Sequence, residues 1–283
     1  MSSKATTFGA ISVLNGIFNG IGCSLAVNLK VKVEVETIEE PEVITTIEIK
    51  NENRKVDLKL VNSCYNLVKN KFEYNGGFRI KIYSEIPFSR GLKSSSAVGN
   101  ALIKAMTDAI GIKLGNFDIA RLCVEACKAA GVTVTGAFDD ACATINGGLF
   151  LVDNYSLRII SSYEVGLYKV IIGFTDSIRE KASINPDKFK LLSNLAFYAC
   201  KLIMKGKWLN AMNINAFLSC AALNDSLKPI ILAIERGALA STLSGTGPSV
   251  VAISDNPDPI AEIWKEFGMN VIITETLVSK SWN

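Results

Sequence analysis

The chain has 283 residues, of which 49% are apolar and 20% charged, so it can bury a sizeable core and is not predicted to be disordered. Its formal net charge is only +3, and basic residues are scattered among acidic ones, which argues against a nucleic-acid or membrane-surface partner. Histidine is absent, which excludes Ser-His-Asp and Cys-His hydrolases and imidazole-based metal sites.

The cysteines and the apolar N-terminal stretch bear on where the protein resides. Seven cysteines without a C-x-x-C pair predict reduced thiols in a core rather than a disulfide framework. Asn15, Asn19 and four glycines interrupt the apolar stretch over 8–27, which favours a buried segment over a signal peptide. No other apolar run reaches the roughly 18 residues of a membrane span. We therefore expect a cytoplasmic protein.

The first half of the chain mixes strand and helix patterns. Apolar and polar residues alternate from Leu25 to Glu36, the period of a half-buried strand. In chain order, the further predictions are a strand over 43–49, a helix over 54–71, a strand over 78–83, a helix over 95–110, a helix from Asn116 or Asp118 to Ala130, and strand character over 141–152.

The second half continues the mixture. It predicts a strand over 168–174, several helices over 186–236, a strand–turn–strand over 240–253, a helix over 259–267 and a strand over 270–276. Because no regular βαβ period emerges, the pattern indicates an α+β protein. We expect two lobes that divide near residue 155, covering 1–155 and 156–283.

The first chemical motif is the run from Pro87 to Ala97, PFSRGLKSSSA, which follows a strand and opens a helix. The unpaired backbone N–H groups at a helix start suit phosphate, and serine hydroxyls there can bind phosphate oxygens or a magnesium ion. The run is not a Walker A loop, because GxxxxGK[ST] is absent. A serine-rich helix cap without a ligand is the alternative.

The second motif is Thr133 to Ala141, which contains the adjacent carboxylates Asp139 and Asp140. A partly desolvated aspartate beside a magnesium–nucleotide can accept a proton from a substrate hydroxyl. A solvated turn or a helix cap explains the same residues equally well.

The third motif is Leu243 to Val250, with the run Ser-Gly-Thr-Gly-Pro-Ser between two apolar strands. Its glycines permit tight turning and a close approach of the backbone to a ligand. The alternative is a glycine-rich hairpin.

In this order the three motifs resemble those of the GHMP kinases, which include galactokinase and the homoserine, mevalonate and phosphomevalonate kinases. Residues 87–97 match their second motif, PxxxGLGSSAA, and 243–250 match the glycine-rich third motif. The segment 9–22 around Asn15 resembles a degenerate first motif. The resemblance implies a two-lobed α+β fold, with an N-terminal lobe like ribosomal protein S5 domain 2 and a C-terminal ferredoxin-like α/β sandwich.

Within the superfamily, GLKSSSAV and TGAFDDA are most similar to the archaeal shikimate kinases. The resemblance implies ATP-dependent phosphorylation of a shikimate hydroxyl, giving shikimate 3-phosphate in chorismate and aromatic amino-acid biosynthesis. ATP and Mg²⁺ would be required, shikimate would be the small-molecule partner, and the oligomeric state stays open.

The resemblance also implies residue roles. Asp139 matches the catalytic aspartate, and an alignment shifted by one residue selects Asp140. Ser95 and Glu125 match magnesium ligands. The ATP phosphates would be held by Pro87, Ser89, Arg90, Gly91, Leu92, Lys93, Ser94, Ser95, Ser96 and Ala97. The substrate would be bound by Asn15, Thr135, Gly136, Asp139, Arg179, Gly245, Thr246 and Gly247.

One position departs from the family pattern. Ala10 stands where mevalonate kinases carry a lysine near the transferred phosphate, so magnesium or Lys93 must neutralise charge in the transition state. The shikimate carboxylate needs a cation, for which Arg179 is the first choice and Arg90 the second.

Other functions fit parts of the pattern. Homoserine kinase fits the third motif as well. A non-catalytic regulator that binds a nucleotide or metabolite is opposed by the retained serines, Glu125 and Asp139. An RNA-binding module would need a basic, aromatic face that the sequence lacks.

Overall fold

The computed structural model describes residues 1–52, 56–87, 90–133, 135–175 and 185–278, and all structural statements below concern these residues. They form two β-sheets with associated helices, which confirms the predicted α+β class. No helix among them is both long and apolar enough to cross a membrane. No disulfide joins the seven cysteines, all of which are described and buried.

The first lobe contains a sheet in the order β3-β4-β2-β5-β6, in which β1 also pairs with β2. Helices α1 to α4 contact one another, and α2 and α4 pack on β1 and β2. The elements are β1 (Ser2–Leu14), β2 (Ile21–Ile38), β3 (Val43–Ile49), α1 (Lys59–Lys71), β4 (Gly77–Ser84), α2 (Ser94–Ala109), α3 (Asn116–Ala129), α4 (Phe138–Asn146), β5 (Leu149–Asp153) and β6 (Arg158–Tyr163).

The long strand β2 changes character along its length, and this change positions the site. Its distal half alternates, with Val31, Val33 and Val35 buried and the intervening charged residues exposed, as the sequence pattern predicts. Residues 22–27 are buried without alternation. Because helices and the second lobe both pack near this half, polar groups here lie in a desolvated environment.

The second lobe contains a sheet in the order β10-β7-β9-β8, with all neighbouring strands antiparallel. Its core includes the fully buried Trp264, whose indole Nε1 donates to Pro229 O at 2.8 Å. The elements are β7 (Lys169–Phe174), α5 (Pro186–Lys190), α6 (Ser193–Met204), α7 (Trp208–Leu223), α8 (Lys228–Glu235), β8 (Ala240–Leu243), β9 (Val250–Ser254), α9 (Asp258–Glu266) and β10 (Asn270–Glu275).

The two sheets are joined through the main chain after β10. Thr276 forms a bridge with Val27, and Leu277 N donates to Ala26 O at 3.0 Å. Gly148 N in turn donates to Leu277 O at 2.9 Å. The second lobe is thereby attached to the buried half of β2.

Most predicted elements are present with small shifts of their ends, but the segment 141–152 was predicted wrongly. Residues from Phe138 to Asn146 form α4, and only Leu149–Asp153 is a strand. The alanines of α4 are good helix formers. Asn154, a side chain from beyond this helix, accepts hydrogen bonds from the first N–H groups of α4. Strands β1 and β6 were not predicted.

The expected division near residue 155 stays a prediction. Strand β6 pairs with β5, so the first sheet extends to Tyr163, and the second sheet begins with Lys169. A boundary that keeps both sheets whole lies between these two residues.

Candidate active site

Residues from all three chemical motifs, the serine-rich run, the Asp139–Asp140 run and the glycine-rich run, border one cavity of about 700 Å³. What we call its polar part is lined by Asn15, Gly91, Lys93, Ser94, Ser95, Ser96, Thr135, Asp139, Asp140, Gly245, Thr246 and Gly247. Its apolar part is lined by Ile47, Ile49, Val56, Leu60, Val61, Ile82, Ile86, Val98 and Val132. One cavity therefore combines charged and hydroxyl groups with a hydrophobic wall.

The serine turn, residues 91–96, leads into α2. Gly91 and Lys93 both have left-handed backbone conformations, with φ of 75° and 63°. A Cβ at Gly91 would lie 2.3 Å from Ser244 O, so this position requires glycine. The backbone N–H groups of the first helical turn have no acceptor within a helix, and they give the turn the character of an anion site.

The carboxylate pair, Asp139 and Asp140, lies in the first turn of α4, with only 5% and 8% of each residue exposed. Asn154 Oδ1 accepts from Phe138 N at 2.6 Å and from Asp139 N at 3.2 Å, so it caps this helix from a distant loop. The neighbouring Ala137 has a φ of 53°, which turns the chain sharply into the helix.

Lys93 and Ser24 hold the pair. Lys93 Nζ lies 3.1 Å from Asp140 Oδ1, and both side chains are almost fully buried. Ser24 Oγ on β2 lies 2.6 Å from Asp140 Oδ1 and 3.0 Å from Asp139 Oδ2. A buried carboxylate needs such partners, because desolvation without them strongly disfavours its charge.

Asp139 is the more enclosed of the two. A Cβ at Gly22 on β2 would lie 2.5 Å from Asp139 Oδ2, so the backbone of β2 covers this oxygen closely. Burial, together with the neighbouring charge of Asp140, raises the pKa of Asp139 to about 7, and Lys93 offsets part of this effect. A carboxyl of this kind titrates close to neutral pH.

The third motif is fastened to the first lobe by reciprocal hydrogen bonds. Ser244 Oγ donates to Gly91 O at 2.8 Å and accepts from Ser12 N at 3.2 Å, while Gly245 N donates to Ser12 Oγ at 2.9 Å. Asn15 Nδ2 donates to Gly245 O at 2.8 Å. These contacts place the glycine-rich turn directly against the serine turn.

The structure does not bring every predicted residue to the cavity. Glu125 is exposed on α3, and Arg90 is buried with its guanidinium 5.4 Å from the centre of the Phe174 ring. Pro87 and Arg90 both border a different groove. Leu92 and Ala97 pack in the core, and Gly136 lies beside Lys128. Ser89 and Arg179 lie outside the described residues.

The serine turn offers hydroxyl oxygens that suit a magnesium ion, whereas Glu125, the other predicted ligand, does not line the cavity. Mg²⁺ keeps several waters and usually takes one or two protein oxygens together with substrate phosphates. Ser95 lines the cavity and offers a hydroxyl. Glu125 lies on the exposed face of α3, whereas Cys127 on the opposite face approaches Ser95 O at 4.0 Å.

Sequence reasoning missed Gly22, Ser24, Asn154 and Asn215. Asn215 is fully buried on α7, accepts from Asn15 N at 2.9 Å and donates to Thr242 Oγ1 at 2.9 Å. The available signal was a small or amide side chain within an apolar run, as at Ser24 and Asn215. That signal marks an unusual position without indicating its partner.

Two solved structures share the architecture of this chain. L. major mevalonate kinase in complex with R-mevalonate superimposes with a TM-score of 0.78, covering 98% of this chain and 97% of that one at 15% identity. Homoserine kinase from Cytophaga hutchinsonii gives a TM-score of 0.75, covering 98% and 95% at 18% identity. At these identities the likeness concerns the fold alone.

Family models and closer relatives agree with the fold. The GHMP kinases N terminal domain matches residues 59–148, and the GHMP kinases C terminal model matches residues 201–270. The chain belongs to the GHMP kinase family.

Two curated relatives named shikimate kinase are similar to it along nearly its whole length. The protein from Pyrococcus abyssi is 36% identical over 97% of this chain and 99% of its own. The protein from Methanosarcina mazei is 35% identical over 99% and 96%.

Proposed function

We propose that the protein is a shikimate kinase, which transfers the γ-phosphoryl group of ATP to a hydroxyl of shikimate and yields shikimate 3-phosphate. The observation that carries the kinase chemistry is the Lys93–Asp140 contact of 3.1 Å beside the serine turn. The choice of shikimate is supported by full-length similarity to relatives with that name.

The polar part of the cavity has the groups that phosphoryl transfer needs. The transition state is loose, so catalysis depends mainly on positioning and on neutralising charge. The N–H groups and hydroxyls of Ser94, Ser95 and Ser96 would hold the phosphates. A magnesium ion, held in part by the Ser95 hydroxyl, would supply additional positive charge when bound.

Lys93 would take the role of the lysine that mevalonate kinases carry at the position of Ala10. Its Nζ lies 3.6 Å from where a Cβ at Gly245 would stand, which places the ammonium between Asp140 and the third motif. From there it would neutralise charge on the transferred group. The acceptor hydroxyl attacks the γ-phosphorus, its proton passes to the carboxylate pair, and ADP leaves.

The apolar part would bind the nucleotide base. It is built from β3, β4, α1 and the first turns of α2, all in the first lobe. A flat hydrophobic wall suits a planar heterocycle, since its burial is favourable and sets few angular demands. This leaves the carboxylate pair and the glycine-rich turn for the acceptor.

The test is a coupled assay of ADP release with the purified protein and a panel of shikimate, homoserine and R-mevalonate. We expect kcat/KM for shikimate to exceed that for homoserine by about 100-fold or more, as for sites that hydrogen-bond specific substrate hydroxyls. The position of phosphorylation is read by NMR of the product. A higher kcat/KM for homoserine would contradict the choice of shikimate and would identify the protein as a homoserine kinase. ATP binding without turnover of any acceptor would instead favour a regulator.

Two coarser features belong to the same proposal. We propose that the chain divides into two lobes between Tyr163 and Lys169, slightly beyond the expected residue 155, and that the protein is cytoplasmic. Seven buried cysteines without a disulfide are typical of a reducing compartment.

A further inference from the structure

Ser24 is one of the residues of the site to which neither the motifs nor the resemblance assigns a role. It lies in the buried half of β2, fully buried, opposite Ser12 on β1. Its hydroxyl oxygen is within hydrogen-bond distance of both aspartates, 2.6 Å from Asp140 Oδ1 and 3.0 Å from Asp139 Oδ2.

A serine hydroxyl carries one proton, so it can donate to only one of these two oxygens. The contact with Asp140 has the length of a hydrogen bond from a hydroxyl to an ionised carboxylate. Lys93 Nζ reaches the same Oδ1 at 3.1 Å. Two donors therefore converge on Asp140, which favours its ionised form.

Asp139 faces the remaining lone pairs of Ser24. While Ser24 donates its single proton to Asp140, it has none left for the 3.0 Å contact with Asp139 Oδ2. A protonated Asp139 would supply the missing proton by donating to Ser24, whereas an ionised Asp139 would face the lone pairs of Ser24. The backbone at Gly22 covers Asp139 Oδ2, and burial outweighs the opposing effects of Lys93, Ser24 and Asn154, so that the pKa of Asp139 is raised to about 7.

We propose that Ser24 is a positioning residue that keeps Asp140 ionised and Asp139 protonated, so that Asp140 is the proton acceptor of the reaction. The inference rests on the proposed function for the identity of the reaction, and it replaces the preference for Asp139 that the motif alignment suggested. Asp139 acts through Ser24 and is a positioning residue as well.

In the step itself, the O–H bond of the acceptor breaks and its proton forms an O–H bond with Asp140. The acceptor oxygen bonds to the γ-phosphorus while the bond from that phosphorus to the β,γ-bridging oxygen breaks. The electron pair leaves with ADP. The proton on Asp140 is then lost to solvent, which restores the starting state.

The charged and titratable groups facing the pair come from three elements. Lys93 approaches from the turn before α2, Cys23 from β2 and Cys142 from α4. Burial raises the pKa of both thiols well above their usual range, so neither ionises near neutral pH. Titration of the site near neutral pH is accordingly assigned to Asp139.

The decisive experiment measures kcat against pH for Ser24→Ala and for Ser24→Thr, which keeps the hydroxyl. For Ser24→Ala we expect the acidic limb to move up by about one pH unit, the effect of losing one hydrogen bond to a charged group. At pH values on the acidic limb, kcat should fall about tenfold with KM for ATP within about twofold of the wild type, and Ser24→Thr should recover most of the loss. An unmoved acidic limb, or an equal loss at every pH, would overturn the proposal.

Ser241→Ala is the matched control. Ser241 is a fully buried strand serine in β8 whose Oγ donates to Val251 O at 3.0 Å, outside the cavity. We expect its kcat profile to follow the wild type. A shift like that of Ser24→Ala would mean that loss of any buried serine hydroxyl has the effect, which contradicts a specific role for Ser24.

A second pair of variants decides the question if Ser24→Ala does not fold. Asp139→Asn mimics the protonated carboxyl, because its amide can still donate to Ser24. We therefore expect Asp140→Asn to lose about 100-fold more kcat than Asp139→Asn. Equal losses, or a larger loss in Asp139→Asn, would overturn the assignment.

A titration without substrate separates this inference from the proposed function. The ¹³C resonances of the aspartate carboxyls, assigned by their absence in Asp139→Asn and Asp140→Asn, should show that Asp139 keeps its proton to higher pH. A higher titration midpoint for Asp140 would contradict the inference. Absence of ADP release with shikimate in the wild type would contradict only the proposed function.

Discussion

The polar and apolar parts of the cavity are built in different ways. The polar part brings together Asn15 on the N-terminal segment, Lys93, the carboxylate pair and Gly245, which are separated by long stretches of chain. The apolar part comes from neighbouring elements of the first lobe. Hydrogen bonds and ion pairs depend on distance and direction, whereas apolar contacts depend mainly on area. Substitutions should therefore affect turnover in the polar part and nucleotide affinity in the apolar part.

The largest contrast is expected in the pH dependence of stability. Because folding raises the pKa of Asp139 from 3.8 to about 7, the folded state holds a proton that the unfolded state releases in this window. The corresponding stability is present below the lower value and is lost as pH rises through the upper one. Relative to wild type, Asp139→Asn should gain up to about 4 kcal/mol in unfolding free energy between pH 4 and pH 8.

Urea unfolding at the two pH values measures this gain. Asp255→Asn, an exposed aspartate variant, is the control and should show little difference between pH 4 and pH 8. A gain for Asp139→Asn that is the same at both pH values would show that its carboxyl titrates alike in both states.

Lys93→Met should give the next largest effect. The change removes the counter-charge 3.1 Å from Asp140 and the cation facing the third motif. We expect kcat to fall about 100-fold while KM for ATP changes less than about fivefold, because charge neutralisation is needed mostly in the transition state. Steady-state kinetics would detect this, with Lys113→Met, an exposed lysine variant, as the control. A large rise in KM with normal kcat would make Lys93 a ground-state phosphate ligand instead.

Ser95→Ala tests the metal side of the polar part. If the Ser95 hydroxyl binds magnesium, its loss should raise the Mg²⁺ concentration for half-maximal activity about fivefold to tenfold, since the ion keeps its water and phosphate ligands. The measurement is a magnesium titration at saturating ATP, with Glu125→Gln in parallel. An unchanged titration for Ser95→Ala together with a shifted one for Glu125→Gln would favour the exposed glutamate.

The smallest effect is expected in the apolar part. Leu60→Ala removes part of the hydrophobic wall, so KM for ATP should rise about threefold to fivefold with kcat nearly unchanged. Leu67→Ala, on the same helix but outside the cavity, should leave KM for ATP at the wild-type value. A kcat loss in Leu60→Ala as large as that of Lys93→Met would contradict the division between the two parts.

Local patterns in the sequence determined a large share of this protein. Alternation predicted the distal half of β2, and the range of β3 was predicted correctly. The glycine and serine runs marked two of the turns that border the cavity. These features depend on the period of side chains along a strand or on backbone conformations that few residues adopt. A few neighbouring residues are therefore enough to predict these features.

The tertiary structure alone decided how the carboxylate pair is held. Residues 141–146, which continue the helix that begins with Asp139 and Asp140 in its first turn, were expected to be a strand, and the helix cap, Asn154, comes from a loop beyond β5. Ser24 meets the pair across more than a hundred residues of chain. Local propensity is weak compared with burial and distant hydrogen bonds, so neither the helix nor its partners follows from the residues around it.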